Sequence, residues 1–441
     1  MSDGNADLAR DLQAQAYSVP LEALNPAQAE LFQNDAQWPY FERLRREDPV
    51  HFTPESEYVA HWGVTKYNDI MTVDTNHDVF SSEGGITLPP SEATIQRMME
   101  EGGGPGADGG LFGDGQQNQG SNMFIAMDPP KHDAQRKTVS PAVSPHNLAI
   151  MEPLIRERCA AILDSLPIGE PFDWVDKVSM ELTAMTLATL FDMPQADRRK
   201  LTHWSDVVMA RPGTGIVDSW EEKRTEMFAY GSYFLNLWNE RVNAPPAGDM
   251  ISMLAHGEAT KNMNQFEYLG NVILLTIGGN DTTRNTISGS VYALNKFRDQ
   301  YAKLREHPEL IPSMVSETIR WQTPLAHMKR VAKTDYELNG KKIRAGDAVV
   351  MWYVSGNRDD EMIERPNDYI IDRPRARQHL SFGFGIHRCV GNRVAELQLR
   401  VIWEEILKRF PEITVIEEPE RTLSNFVKGY RSMQVVIPTR N

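Results

Sequence analysis

The sequence predicts a mainly α-helical protein, a large helical body to which small β-sheets are attached. Three observations support this prediction: long segments in which apolar residues recur at helical spacing, a few short strand-like runs, and the absence of an internal repeat. Of the 441 residues, 41% are hydrophobic, enough to bury a large core. Because no linker with a shift in composition divides the chain, residues 1–441 are predicted to form one domain, with residues 1–35 as an N-terminal extension.

Two segments predict long helices. One runs from Phe266 to Phe297, and the other follows Gly391 and ends before Pro411. In the second segment, the apolar residues at helical spacing are Ala395, Leu399, Ile402, Ile406 and Phe410. The strand-like runs lie at Val50–Thr53, Tyr58–His61, Asp335–Leu338, Ala348–Tyr353 and Gln434–Ile437.

Composition and charge exclude several classes of protein. The formal net charge is −15, and because nucleic-acid binding needs a basic surface, no nucleic-acid partner is expected. Only Cys159 and Cys389 are cysteines, so no disulfide framework is expected and the usage fits a reducing cytosol. The polar, acidic N-terminus lacks the pattern of a signal peptide, and the longest apolar runs are too short to span a bilayer. The sequence therefore predicts a soluble, cytoplasmic protein without a membrane segment.

One segment is low in complexity. Residues 100–120 read EEGGGPGADGGLFGDGQQNQG, without the preceding strand and the closing Gly-Lys-Ser/Thr of a phosphate-binding loop. We therefore interpret residues 83–125 as a flexible Gly-rich loop rather than as a phosphate site. Long loops within an enzyme frequently act as lids, so this loop is predicted to lie over the active site.

The most informative stretch is Phe382 to Gly391, with the sequence FGFGIHRCVG. Cys389 follows a Gly-rich turn and precedes a predicted helix, where the helix dipole and nearby backbone N–H groups favour a thiolate. Gly385 and Gly391 let the backbone approach a flat ligand closely. The alternatives are a buried structural cysteine and a zinc site, which fits less well because no second cysteine lies nearby.

The frame F-x-x-G-x-x-x-C-x-G resembles the haem-binding loop of the cytochrome P450 superfamily, with matches at Phe382, Gly385, Cys389 and Gly391. The resemblance implies the cytochrome P450 fold and a bound haem b, whose iron is ligated by Cys389 and which Phe382, Gly385 and Gly391 help to hold. Thiolate ligation favours O–O cleavage. The resemblance therefore also implies a monooxygenase that inserts one atom of O2 into a C–H bond.

A second constellation, GGNDTT at residues 278–283, lies in the middle of the first predicted helix. Two glycines inside a helix cost roughly 1 kcal/mol each relative to alanine, which a local widening of the helix around a bound diatomic would offset. Asp281 and Thr282 then supply an acid and a hydroxyl for proton relay. The stretch resembles the oxygen-binding helix of the family, which implies that Asp281 and Thr282 are catalytic.

Two further sets of charged residues extend the resemblance. Glu317 and Arg320 share a helix face and, with Arg373, resemble a buried trio that supports folding and haem retention. The residues for which the resemblance implies contacts with the haem propionates are His132, Arg136, Arg330, His379 and His387. For each of these five residues, the alternative is an ordinary solvated side chain.

The resemblance also implies a substrate pocket, and the residues that this chain offers there are mostly apolar, which suits a lipophilic substrate. Its residues are Ile86, Leu88, Leu275, Gly278, Leu325, Met328, Phe426 and Val427. Three stretches, GGNDTTRN at 278–285, RWQTPLAH at 320–327 and HLSFGFGIHRCVGN at 379–392, resemble the bacterial soluble branch that hydroxylates the terminal carbon of medium-chain alkanes and fatty acids.

Three alternatives to that function stay open. They are a hydroxylase of another lipophilic substrate such as a steroid or terpenoid, a peroxide-driven haem-thiolate enzyme, and a non-catalytic haem protein. The acid–alcohol pair Asp281–Thr282 argues against the last two.

Separate proteins are expected to supply the electrons, since the haem domain is predicted to use up the chain. The resemblance implies an iron–sulfur ferredoxin and a nicotinamide-dependent flavin reductase. Ferredoxins are typically acidic, and a basic patch near Cys389 is predicted from Arg375, Arg377, Arg388 and Arg393. Scattered, solvated arginines are the alternative reading of these four residues.

Overall fold

The computed structural model describes residues 3–103 and 122–441, with residues 3–7 as backbone only. The two ends of the predicted loop at 83–125 are therefore described, and its middle lies outside the described residues. That residues 1–441 form one domain stays a prediction.

The described residues form sixteen α-helices, which confirms the mainly helical class. They are α1 Asp3–Ser18, α2 Ala29–Gln33, α3 Trp38–Glu47, α4 Tyr67–Thr75, α5 Glu92–Glu100, α6 Lys131–Val139, α7 Pro145–Asp164, α8 Glu181–Leu190, α9 Arg198–Met209, α10 Trp220–Val242, α11 Met250–His256, α12 Gln265–Lys296, α13 Arg298–Glu306, α14 Ile311–Gln322, α15 Tyr353–Gly356 and α16 Asn392–Arg409. Both predicted long helices are confirmed, as α12 and α16. Among these described helices, none has an apolar stretch long enough to cross a membrane.

Twelve short strands in the described residues form four small sheets. They are β1 Val50–Thr53, β2 His61–Val64, β3 Phe80–Ser81, β4 Phe172–Asp173, β5 Met328–Ala332, β6 Tyr336–Leu338, β7 Lys341–Ile343, β8 Ala348–Met351, β9 Thr414–Val415, β10 Glu420–Arg421, β11 Tyr430–Ser432 and β12 Gln434–Val436. The largest sheet has the order β1-β2-β8-β5-β3, and the smaller ones are β4-β12-β9, β6-β7 and β10-β11.

One of the five predicted strands is placed wrongly. Instead of Tyr58–His61, the strand begins at His61 and ends at Val64, because these residues pair with β1 on one side and with β8 on the other. Tyr58 makes only an isolated bridge to Pro90. The strand at Val50–Thr53 is confirmed, and the other three form as the slightly shorter β6, β8 and β12.

Helix α12 lies at the centre of the largest apolar core and contacts α8, α9, α10, α14 and α16. It begins after Asn264, whose side chain accepts hydrogen bonds from the N–H groups of Phe266 and Glu267. A second core packs residues of the predicted extension, Ala16 to Phe32, against Trp352. Phe382 and Val390, in the loop before α16, pack against the first of these cores, which therefore positions both this loop and α12.

Candidate active site

A cavity of about 820 Å³ lies between the loop that precedes α16 and the middle of α12. Cys389 and Gly391 line it from the loop, and Asp281 and Thr282 line it from the helix. The structure therefore brings together the two motifs that the sequence predicts independently.

Cys389 lies in a tight loop whose backbone bonds to itself, since the Cys389 N–H donates to Phe382 O at 2.8 Å. The Cys389 side chain opens onto the cavity, and a Cβ placed on Gly391 would lie 4.0 Å from Cys389 Sγ. Burial within the protein raises the pKa of the Cys389 thiol, whereas the Gly391 N–H, Arg136 and Arg388 lower it. Burial thus outweighs the local groups that the sequence predicts to favour the thiolate.

Asp74, which the sequence analysis missed, anchors this loop. The Phe384 N–H and the Tyr353 hydroxyl donate to Asp74 Oδ2 at 2.8 and 2.9 Å. A Cβ on Gly385, whose φ is +66°, would lie 2.6 Å from the Asp74 carbonyl oxygen. Gly385 is therefore needed where the loop meets α4. The signal that could have identified Asp74 is its place beside Val73 on the apolar face of α4.

Buried imidazole and guanidinium groups cluster beside the loop. Arg136, Arg330 and His387 line the cavity, and the centroid of the His132 ring lies 4.2 Å from that of His387. Both ring nitrogens of His387, and Nε2 of His132, are buried without a hydrogen-bond partner in the described part of the chain. Burial lowers the pKa of His387 to about 2, so its ring is neutral. Buried polar atoms need partners, and the carboxylates of a haem would supply them, so the residues present fit this group.

Two of the predicted propionate contacts are less direct. His379 is absent from the residues that line the cavity, its ring centroid lies 5.1 Å from that of Phe382, and burial lowers its pKa to about 3. Arg330 already forms a buried ion pair of 2.8 Å with Asp74, so only part of its guanidinium faces other partners.

The two glycines of the GGNDTT segment occupy different surroundings, which explain each of them separately. A Cβ on Gly278 would meet nothing within 4 Å, so this glycine widens the cavity. A Cβ on Gly279 would lie 3.0 Å from Leu187 Cδ1, so this glycine allows α8 to pack closely. The predicted local widening is absent, since α12 is an uninterrupted α-helix here. The Thr282 hydroxyl donates to Gly278 O at 2.8 Å and stays beside the cavity.

Asp281 is buried but connected towards the surface. Its Oδ1 accepts hydrogen bonds from Ser205 Oγ at 2.9 Å, Asn280 Nδ2 at 3.1 Å and Arg284 Nη2 at 3.0 Å. The same Arg284 nitrogen bonds to Asp206, whose side chain is 26% exposed. Burial raises the pKa of Asp281 to about 6, partly offset by Arg284. A carboxyl group with this pKa can take up and release a proton near neutral pH.

The predicted trio Glu317, Arg320 and Arg373 is brought together, and we name it the Glu317 network. Arg320 donates to Glu317 from Nε and Nη2, both at 2.8 Å, and Arg373 Nε donates to Glu317 Oε2 at 3.0 Å. The Tyr369 hydroxyl, buried nearby, shares a hydrogen bond of 2.6 Å with Thr318 Oγ1. None of the three residues of the Glu317 network lines the cavity, and their role in folding and haem retention stays a prediction.

All eight predicted pocket residues line the cavity. Seven of them are apolar, and they come from four segments of the chain: Ile86 and Leu88, Leu275 and Gly278, Leu325 and Met328, and Phe426 and Val427. The sequence analysis missed the residue that connects three of these segments, His327.

His327 is fully buried between the pocket segments. The Leu88 N–H donates to His327 Nε2 at 3.3 Å, so the proton lies on Nδ1, which donates to Asn425 O at 3.1 Å. The His327 ring also packs against Phe426, with centroids 5.3 Å apart. Burial lowers the pKa of His327 to about 3, which keeps this neutral form. One imidazole therefore positions three walls of the cavity.

The four arginines of the predicted basic patch are exposed, and Arg375, Arg377 and Arg393 line a shallow groove beside α16. Arg377 is paired with Glu396 at 2.8 Å. Arg375, Arg388 and Arg393 have no ion-pair partner in the described residues. The structure thus provides a positively charged surface on the side of the loop that holds Cys389.

Comparison with known proteins supplies a family for this site. The sequence model of the cytochrome P450 family matches residues 238–435, which include Asp281, Glu317 and Cys389. Linalool 8-monooxygenase of Pseudomonas putida is 34% identical over 401 residues, covering 90% of this chain and 94% of that protein. The methyl-branched lipid omega-hydroxylase of Mycobacterium bovis is 31% identical over 408 residues, covering 90% of each.

A solved structure is similar over nearly the whole chain. It is that of cytochrome P450-153 from Novosphingobium aromaticivorans, which is 43% identical and superposes with a TM-score of 0.80. The match covers 94% of this chain and 99% of the other. The predicted fold class is therefore confirmed.

Proposed function

The chain belongs to the cytochrome P450 family, and from this premise we propose that it hydroxylates the terminal carbon of linear lipophilic substrates, medium-chain alkanes or fatty acids. It is a monooxygenase that uses a cysteine-ligated haem b. The observation that carries the proposal is the cavity itself, in which Cys389 and the Asp281–Thr282 pair meet walls that are mostly apolar.

In this proposal the haem is held by residues of two kinds. Cys389 ligates the iron, and Arg136, Arg330, His132 and His387 bind the propionates. When bound, the haem supplies the iron centre that activates O2. The protein residues exclude water from this centre by closing apolar walls around it.

Asp281 and Thr282 deliver protons in the proposed reaction. The carboxyl group of Asp281 is poised to exchange protons near neutral pH, and Arg284 links it to the half-buried Asp206. The Thr282 hydroxyl lines the cavity and can pass a proton on. The presence of both groups favours use of O2 over use of peroxide.

The lipophilic substrate class is supported by two relatives. The two similar proteins are named for activities on linalool and on methyl-branched lipids, the second with omega regiochemistry. Since linalool is a terpenoid, a terpenoid hydroxylase is the second candidate.

A binding and product panel tests the proposal. Purified holoenzyme is titrated with alkanes, fatty acids, terpenoids and steroids, and the low-to-high-spin change of the haem is recorded. Linear chains are expected to give the largest shift and a terminal alcohol as main product. A response to terpenoids or steroids alone would contradict the proposal.

We also propose an acidic iron–sulfur ferredoxin, reduced by a nicotinamide-dependent flavin reductase, as the electron donor. The support is the exposed patch of Arg375, Arg388 and Arg393 on an otherwise acidic protein, because opposite charges steer association.

A further inference from the structure

Lys223 is a buried cation that the proposed reaction leaves without a role. It lies in the first turn of α10, is only 6% exposed, and lines the cavity. Its Nζ donates to Val208 O at 3.0 Å and to Ala210 O at 2.7 Å, at the end of α9. An ammonium group has three N–H donors, so one donor is left over.

The charge of Lys223 is not neutralised by the protein. Within the described residues, no carboxylate lies within ion-pair distance of Lys223 Nζ. Burial and the neighbouring Arg211 lower the pKa of Lys223 to about 8, so the group is still mainly charged at neutral pH. A buried charge without a carboxylate counter-charge is costly, and the C-terminal carbonyls of α9, which favour a cation, offset only part of that cost.

Two other cations on this side of the cavity are paired with carboxylates. Arg211 forms an ion pair with Glu57, and Arg284 forms one with Asp206 at 2.8 Å. Lys223 differs from these two arginines, since its partners are two carbonyl oxygens and the face of the Trp220 ring, 5.6 Å from Nζ to the centroid. Capping of the α9 carbonyls explains two of its donors but neither its position at the cavity wall nor its unmatched charge.

We propose that Lys223 binds the carboxylate of a fatty-acid substrate. The inference rests on the proposed function and narrows it, since an alkane has no group for this ammonium. The cavity extends from Lys223 to Cys389. A chain held at Lys223 by its carboxylate presents its opposite, methyl end towards Cys389, which accounts for hydroxylation at the terminal carbon.

Dodecane and dodecanoic acid, which share one chain, test this role in the holoenzyme. The spin-state titration is performed on the wild type, on Lys223→Met, which keeps the length but removes the charge, and on Lys223→Arg, which restores it. A hydrogen bond to a charged group is worth about tenfold or more in affinity. Lys223→Met is expected to lower the affinity for dodecanoic acid by at least about tenfold and to change the affinity for dodecane by less than about twofold.

The dodecane arm also reports whether Lys223→Met is folded, and Lys223→Arg is expected to recover most of the acid affinity. Lys261→Met, which removes an exposed lysine outside the cavity, is the matched control and is expected to change neither affinity. If Lys223→Met lost the same affinity for both ligands, or lost no affinity for the acid, the inference would be overturned.

Binding to the wild type distinguishes failure of the Lys223 inference from failure of the proposed function. If it binds dodecane but not dodecanoic acid, the inference fails and the proposed function stands. If it binds neither ligand, the linear-substrate proposal and the inference both fail.

Discussion

Buried charged groups are paired more completely in the Glu317 network than in the cavity wall formed by α10 and α12. In the network, both carboxylate oxygens of Glu317 accept hydrogen bonds from Arg320, and Arg373 adds a third guanidinium bond. In the wall, the charge of Arg284 is paired with Asp281 and Asp206, but its Nε and Nη1 are buried without hydrogen-bond partners in the described residues, and Lys223 lacks a carboxylate counter-charge. Groups whose hydrogen bonds are all made fix a structure, whereas groups with spare donors are available to bind substrate or to relay protons.

Among the variants that test this difference, Glu317→Gln is expected to have the largest effect. Removing one partner of a buried ion pair leaves uncompensated charge and costs about 3–5 kcal/mol. We expect a loss of unfolding free energy of that size and loss of haem, measured by urea denaturation and by haem content. Glu258→Gln breaks an exposed pair with Lys261 and is expected to cost less than about 1 kcal/mol. Equal losses in the two variants would contradict the account.

On the cavity wall, Asp281→Asn is expected to lower turnover more than stability, because Arg284 keeps its second ion pair, with Asp206. Loss of a general acid lowers a rate by about a hundredfold or more. The affinity for substrate, measured by the spin shift, is expected to stay unchanged, while the rate of product formation at saturating substrate falls.

Asp206→Asn provides the matched comparison, because Asp206 touches Asp281 only through Arg284. Its loss is expected to reduce turnover severalfold, less than Asp281→Asn does. An Asp281→Asn enzyme with normal turnover would remove this residue from the proton path.

His327 is a different case, because it lies inside the cavity wall but both of its ring nitrogens are hydrogen-bonded. His327→Phe leaves the Leu88 N–H and the Asn425 carbonyl without partners, at a cost of about 1–3 kcal/mol for each buried group. We expect weaker substrate binding and a larger share of non-terminal alcohols, determined by product chromatography.

His51→Phe is the control for that variant. His51 is equally buried and bonds to Asp48 and Leu24 O, outside the pocket. It is expected to lose similar stability without altering the products. A parallel change of products in both variants would show that general destabilisation, and not wall position, sets the regiochemistry.

The smallest expected effect concerns the exposed Arg393. Arg393→Glu is expected to slow electron transfer from an acidic ferredoxin by about tenfold or less, with a shallower salt dependence, because rim charges act mainly on association. Stopped-flow reduction at several ionic strengths measures this. Arg344→Glu, on the β6–β7 hairpin, is expected to leave the rate unchanged. An unchanged rate and salt slope for Arg393→Glu would exclude this residue from docking.

The parts of the molecule that a linear pattern encodes could be predicted from the sequence. The loop of Cys389 and the helix that carries Asp281 and Thr282 depend on spacing along one segment. The eight pocket residues, which come from four segments, follow from the resemblance of those segments to the family. The strand at His61–Val64 was misplaced because its bounds are decided by pairing with β1 and β8. No local pattern contains that information.

Residues whose function depends on distant segments were missed for the same reason. His327 joins Leu88 and Asn425, which are 239 and 98 residues away along the chain. Asp74 bonds to Phe384, 310 residues away. Lys223 reads as an ordinary helical lysine until the packing of α10 on α9 shows that it is buried without a counter-charge.

The absorption spectrum of the reduced protein with carbon monoxide reports whether Cys389 supplies a thiolate to a haem iron. We expect a strongly red-shifted Soret band in the wild type and loss of that band in Cys389→Ser. A normal, histidine-type band in the native wild-type protein would rule out Cys389 as the iron ligand.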